Sequence, residues 1–145
     1  MGSEMCIRDR PPAVPDSSVD PEVTMDSFVP KAGGTRFRIF RLDPVDQNAA
    51  PPSPSEIESQ LAALRASVPG LGETLEADNP GMHTTDTIDY IVVLSGEADL
   101  ELDDGATVHL EPGDCVVQRG TRHAWRNTGS VPFVAAAVMV GAQRA

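Results

Sequence analysis

Hydrophobic and polar positions along this chain follow two different periods, and the changes of period mark its elements. Thr35–Leu42, TRFRIFRL, alternates apolar and basic residues at first and shifts phase at Phe40. A strand with one covered face and a bulge or an end reads this way. The next stretch, DPVDQNAAPPSP, is dense in turn residues, and Ser55 just after it is placed to cap a helix starting at Glu56. Ile57, Leu61, Leu64 and Val68 then recur at helical spacing until PGLGE, so one short amphipathic helix is expected to cover part of the surface.

From Gly81 onward the period is two. In EADLELDDGATVHLEPGD, Ala98, Leu100 and Leu102 alternate with Glu97, Asp99 and Glu101; the chain turns at DDG and resumes with Val108 and Leu110. That is a hairpin with one solvated face. CVVQ, HAWRN and FVAAAVMVG add further short strands between RGT and TGSVP. The pattern predicts an all-β fold, a small barrel or double-sheet jelly roll with one short N-terminal helix, because such closure removes or protects sheet edges.

Composition then narrows the partners and the boundaries. Residues 1–34 are expected to be a disordered lead, rich in Pro, Ser and Asp and too poor in apolar groups to offset ordering entropy. Within it MCIRDR, Met5–Arg10, resembles the translated transposon adapter of sequencing libraries, which implies assembled environmental DNA as the source and sets the segment outside fold reasoning. Residues 35–145 are expected to form a single domain. The net charge of −11 argues against nucleic acid and anionic membrane surfaces as partners, since both are held by Lys and Arg. Neither an apolar run of about 18 residues nor a signal core is present, so the expected location is cytoplasmic. Only Cys6 and Cys115 can pair, and Cys115 reads as an inert core thiol.

The candidate chemistry lies in two stretches. In GMHTTDTIDYIVVLSG, His83, Thr85 and Asp89 share parity and therefore one face of a regular strand; in HAWRN, His123, Trp125 and Asn127 do the same. His83, Thr85, Asp89 and Gly96 fall on the first histidine, second histidine, glutamate and closing glycine of the first cupin motif. Gln118, Gly120, His123 and Asn127 fall on the second motif, with Gln118 at its proline. Over about residues 77–127 the chain thus resembles the cupin superfamily, in particular small microbial single-domain cupins, and the resemblance implies the cupin double-stranded β-helix.

It also implies a site. His83, Asp89 and His123 would form a 2-His-1-carboxylate set for a divalent transition metal, Fe, Mn, Zn or Ni, with open positions for water and substrate. Thr85 would orient a water or substrate oxygen, and Tyr90, if a bulge turned it inward, would donate a proton. Trp125, Arg119, Arg122, Gln118 and Asn127 are the expected substrate-binding residues, the two arginines as anchors for a carboxylate. His109 is expected on a solvated face. The implied function is a metal-dependent enzyme with oxygenase, decarboxylase, isomerase or lyase chemistry on a small organic substrate. The alternative is a non-catalytic, metal-free cupin that binds or senses a small ligand, with His83 and His123 lining its pocket and Asp89 accepting hydrogen bonds. A homodimer is a further expectation from the resemblance.

Overall fold

The apolar run FVAAAVMVG becomes the strand that the rest of one sheet is built on. In the computed structural model, which describes residues 26–45 and 52–144, this strand is β7, Phe133–Gly141. The other elements are β1 (Thr35–Leu42), α1 (Pro54–Ser67), β2 (Thr87–Ser95), β3 (Ala98–Leu102), β4 (Thr107–Leu110), β5 (Cys115–Arg119) and β6 (His123–Arg126). Two antiparallel sheets result, one in the order β1-β7-β2-β5 and the other β4-β3-β6. The fold is all-β, as the alternation predicts, and the expected hairpin forms with Ala98 opposite Leu110 and Leu100 opposite Val108. Gly96 turns the chain between the sheets with φ of 71°, and a Cβ there would meet the Pro132 carbonyl oxygen at 2.3 Å. Only glycine tolerates both conditions.

The inner faces of the sheets grade from apolar to polar. At one end Ile91, Val93, Ala98, Leu100, Leu110, Phe133, Ala135 and Ala137 form the core, with Phe40, Leu42 and Trp125 packed against it. Trp125 lies edge-on to Phe40 at 5.6 Å and stacks with Phe133 at 5.5 Å between ring centroids. At the other end Thr85, Thr87, Asp89, Gln118 and His123 are buried.

β1 departs from the sequence reading. Its pairing with β7 runs without interruption from Thr35 to Leu42, so no bulge or phase shift occurs at Phe40. Phe40 and Leu42 face inward, and strict alternation then carries Arg36 and Arg38 inward too, leaving Phe37 at 71% and Ile39 at 63% exposure. The basic residues, not the apolar ones, line the barrel along the first half of this strand.

Three further corrections concern the frame. The helix is capped by Ser53 rather than Ser55: the Ser53 amide donates to Glu56 Oε2 at 2.7 Å and the Glu56 amide to Ser53 Oγ at 3.4 Å. This reciprocal box needs a three-residue spacing, and Pro54 supplies the preset φ at the first helical position. Residues 26–34, expected in the disordered lead, make defined contacts. The Phe28 amide donates to the Pro69 carbonyl at 2.8 Å and the Gly33 amide to the Gly141 carbonyl at 2.9 Å, while a Cβ on Gly141 would strike the Lys31 carbonyl. The rest of the expected lead, including Met5–Arg10, lies outside the described residues. Cys115, expected in the core, is exposed, because Val116 and Gln118 take the inward positions of β5.

Phe133 is fully buried, whereas α1 buries no residue. Phe133→Ala is therefore expected to cost about 3–5 kcal/mol in urea unfolding, and Ile57→Ala about 1 kcal/mol or less. A larger loss at Ile57 than at Phe133 would show that the helix, not the inter-sheet cluster, holds the barrel.

Candidate functional site

The polar end of the barrel is assembled where the chain crosses between sheets. His83 lies outside the regular strands and forms an isolated bridge with His123, the first residue of β6. Two backbone hydrogen bonds make that bridge, His83 N to His123 O at 2.9 Å and His123 N to His83 O at 3.0 Å. The imidazoles end up 4.3 Å apart between centroids. Four residues after His83 the chain has joined the other sheet as β2, where Asp89 pairs with Gln118 of β5 and Met139 of β7.

The tautomers follow from the backbone. His83 Nδ1 is 2.9 Å from the Gly81 carbonyl oxygen, and His123 Nδ1 is 2.8 Å from that of Thr121. A carbonyl oxygen only accepts, so each Nδ1 carries the proton and each Nε2 keeps its lone pair. Both rings are held neutral. Burial is the main cause of the lowered His83 pKa; burial and then the His83 charge push His123 down to about 4. Burial likewise raises the Asp89 pKa, against the Thr87 hydrogen bond and the charges of Arg38 and His83.

The expected three-ligand set is not brought together. Among the described residues no group of three His, Cys, Asp or Glu side chains is close enough to hold a metal ion. His83 and His123 meet, but the crossing places Asp89 in the other sheet. Its Oδ1 is buried without a hydrogen-bond partner. Two histidines that each tie Nδ1 to a backbone carbonyl and leave Nε2 as a donor pair fit a divalent metal in ligand chemistry, since this is how metal-ligating imidazoles are oriented. The carboxylate does not complete the set.

The other expected site residues divide by what they touch. Thr85 is buried, with its hydroxyl 2.8 Å from that of Thr87. Gln118 is buried beside Asp89 in the β2–β5 register and donates to the Thr121 carbonyl at 3.2 Å. Trp125 presents its ring to His123, centroids 6.5 Å apart and nearly perpendicular, besides packing the core.

Four others are exposed or committed to partners outside the histidine pair. Tyr90 is 52% exposed on the outer face, as unbroken parity dictates, and no bulge turns it inward. Asn127 is buried as a structural latch: its amide nitrogen donates to the carbonyls of Leu42 and Val131, both at 2.9 Å, and its oxygen accepts from the Gly129 amide. Arg122 is clasped by Glu76, with donors at 2.7 and 2.6 Å, and reaches Asp103, so its charge is already matched. Arg119 is exposed at the outward end of β5 and borders a cleft of about 260 Å³ with Asp86, Gly120 and Arg144. His109 bonds Asp99 at 2.8 Å on the solvated face, as expected.

The sequence reading missed Arg38. Its guanidinium contacts the Met139 sulfur and lies 5.3 Å from the Phe28 ring centroid. Its parity with Phe40 and Leu42 was the available signal.

The three histidines of the chain are expected to titrate apart. His109, raised first by its bond to Asp99, protonates above the ordinary imidazole range; His83 protonates below it, and His123 at about 4. Proton NMR of the imidazole signals in metal-free protein measures this order. A His123 signal moving near pH 6.5, the value of a free imidazole at about that pH, would mean that its ring is solvated. Because His123 has a depressed folded-state pKa, its contribution to stability is complete above the ordinary imidazole pKa and is lost as the pH falls through about 4.

Comparison with known proteins follows this geometry. Residues 74–140 match the Cupin domain family. Phomopsin biosynthesis cluster protein C' of Diaporthe leptostromiformis is 61% identical over 46 residues, which are 32% of this chain and 24% of that protein. The cupin-domain-containing oxidoreductase virC of Hypocrea virens is 39% identical over 54 residues, 35% of this chain and 28% of that protein. The matches therefore span about a quarter to a third of the curated relatives' length. Among solved structures, a conserved protein with a double-stranded β-helix domain from Klebsiella pneumoniae superposes with a TM-score of 0.49 at 18% identity, over 83% of this chain and 79% of that one. The matched segment contains β2 to β6, most of β7 and both bridged histidines, so the similarity to the Cupin domain family covers the site as well as the sheets.

Proposed function

We propose that this barrel is the catalytic domain of a metal-dependent enzyme acting on a small organic molecule. The observation that carries the reading is the histidine pair, His83 and His123, neutral, fixed through Nδ1 to backbone carbonyls and 4.3 Å apart. These two side chains would hold the metal, which supplies a Lewis-acid centre for orienting and polarising a substrate oxygen. Within the chain itself, the carbonyls of Gly81 and Thr121 hold the two tautomers. The Trp125 ring shields His123 from water, and the Thr85–Thr87 hydroxyl pair and the Gln118 amide offer hydrogen bonds at the same end of the barrel. The likeness to virC, a cupin-domain-containing oxidoreductase, supports redox chemistry over lyase or isomerase chemistry as the reaction class. One observation favours the alternative of a metal-free binding cupin: the missing third ligand.

Metal content of protein made without a histidine tag tests the reading. The parent is expected to hold a first-row transition metal, His123→Ala to lose it, and Asp89→Ala to retain most of it, since the carboxylate stands apart from the pair. A metal-free parent, or equal metal in His123→Ala and the parent, favours the binder.

A second copy of this chain is the proposed occupant of the outer face of the four-stranded sheet. Phe37, Val138, Tyr90 and Val117 form one row across the four strands, and Ile39, Ala136, Val92 and Cys115 the next. No outward position of these strands carries a carboxylate, in a chain of net charge −11. With Leu94, the exposed apolar side chains present roughly 600 Å², close to the ~800 Å² per partner of a standard interface and at the upper end for a monomer's largest patch. Sedimentation at micromolar concentration is expected to show a dimer that Val92→Glu converts to monomer. A monomeric parent overturns this arrangement.

A further inference from the structure

The polar end of the barrel contains one row that the histidine chemistry leaves unused. Across the four-stranded sheet the inward residues Arg36, Met139, Asp89 and Gln118 stand side by side, with Arg38 in the next row on β1. Among the described residues, the only two buried side-chain polar atoms without a hydrogen-bond partner are Arg36 Nε and Asp89 Oδ1. Both belong to this row, one on each side of Met139. Such an atom is costly to leave unmet, because it has lost its water partners without gaining others. Asp89 is only 6% exposed, so bulk water does not freely solvate it.

Arg38 is the second half of the observation. Strands two apart are separated by about 10 Å, and Arg38 spans part of that distance by reaching over β7 to the Met139 sulfur. Met139 pairs directly with Asp89, so the guanidinium is brought toward the carboxylate without forming an ion pair with it. Arg41, Arg122, Arg126 and Arg144 each bind a carboxylate directly. Arg38, with five N–H donors, contacts a thioether sulfur and a phenyl face, neither of which carries charge. Burial lowers its pKa, and the nearby Asp89 charge opposes that shift. A desolvated cation and an orphaned carboxylate oxygen, near one another but unjoined, are complementary to a ligand that has an anionic acceptor at one end and a hydrogen-bond donor at the other.

We propose that the barrel binds a small 2-hydroxy carboxylic acid, with the ligand carboxylate on the Arg38 guanidinium and its hydroxyl donating to Asp89 Oδ1. This substrate class rests on the reading of the barrel interior as the site of chemistry. Phe28, packed on the Arg38 guanidinium, keeps that fork oriented. Gln118, on the far side of Asp89 from Met139, has its amide nitrogen committed to the Thr121 carbonyl and bounds the row.

The test uses three probes that remove one feature at a time: lactate, propionate without the hydroxyl, and lactamide without the charge. Binding is measured by calorimetry or amide NMR shifts on chelator-stripped protein, so the result does not depend on whether a metal is held. Lactate is expected to bind at least about tenfold more tightly than either analogue, the scale of one charge-assisted hydrogen bond. Arg38→Gln is expected to abolish the preference for lactate over lactamide. Asp89→Leu is expected to abolish the preference for lactate over propionate. The comparison of probes on the parent stands even if a variant fails to fold. Equal binding of the three, or no binding of lactate, overturns the proposal while leaving the metal reading intact. Lactate binding that appears only after metal is restored also overturns it, by placing recognition on the ion and not on Arg38. A parent that holds no metal as purified and nevertheless discriminates among the probes supports the proposal and sinks the metal reading.

Discussion

The pair of backbone hydrogen bonds between His83 and His123 is the constraint on which the polar end of this barrel depends. The bridge joins the segment before β2 to the first residue of β6, and so ties the sheet containing β1, β7, β2 and β5 to the one containing β4, β3 and β6. It fixes both Cα atoms, and the carbonyls of Gly81 and Thr121 then fix both rings. A backbone bridge of this kind leaves the imidazoles little freedom to separate, which is the preorganisation a two-nitrogen site requires.

The same crossing explains the position of Asp89. Parity along His83, Thr85, Thr87 and Asp89 is kept, and Thr85, Thr87 and Asp89 are buried. Yet His83 is bonded to one sheet and Asp89 to the other. Shared facing on a strand is a statement about direction, and it brings side chains together only while the strand stays in one sheet. The carboxylate consequently stands between Met139 and Gln118, within reach of the Arg38 and His83 charges, and the chain retains a buried, incompletely satisfied row beside a well-packed apolar cluster. Leaving such groups unmet is costly in a medium of low dielectric, and that cost gives the row its significance for ligand recognition.

Inside and outside are exchanged along the first half of β1. A barrel interior that carries arginines, with phenylalanine and isoleucine outside, puts an apolar sheet face toward the surroundings in a chain of high negative charge. The core meanwhile is concentrated at the Phe40–Trp125–Phe133 end. Stability and site are thus placed at opposite ends of the inner sheet faces, joined by continuous strands.

Sequence alone determined the all-β architecture, the extent of β1, the hairpin turning at DDG and the two histidines, because each is written in local periodicity, turn residues or motif spacing. The resemblance to the cupin motifs was legible in His83, Gly96, Gly120, His123 and Asn127 for the same reason. Only the tertiary structure decided which face of β1 is covered, since alternation gives two faces and packing against β7 and Trp125 selects one. It also decided that Asn127 is held by Leu42 and Arg122 by Glu76 and Asp103, partners far away along the chain. The separation of Asp89 from the histidines has the same origin: it arises where a chain changes sheets, and no local period records that event.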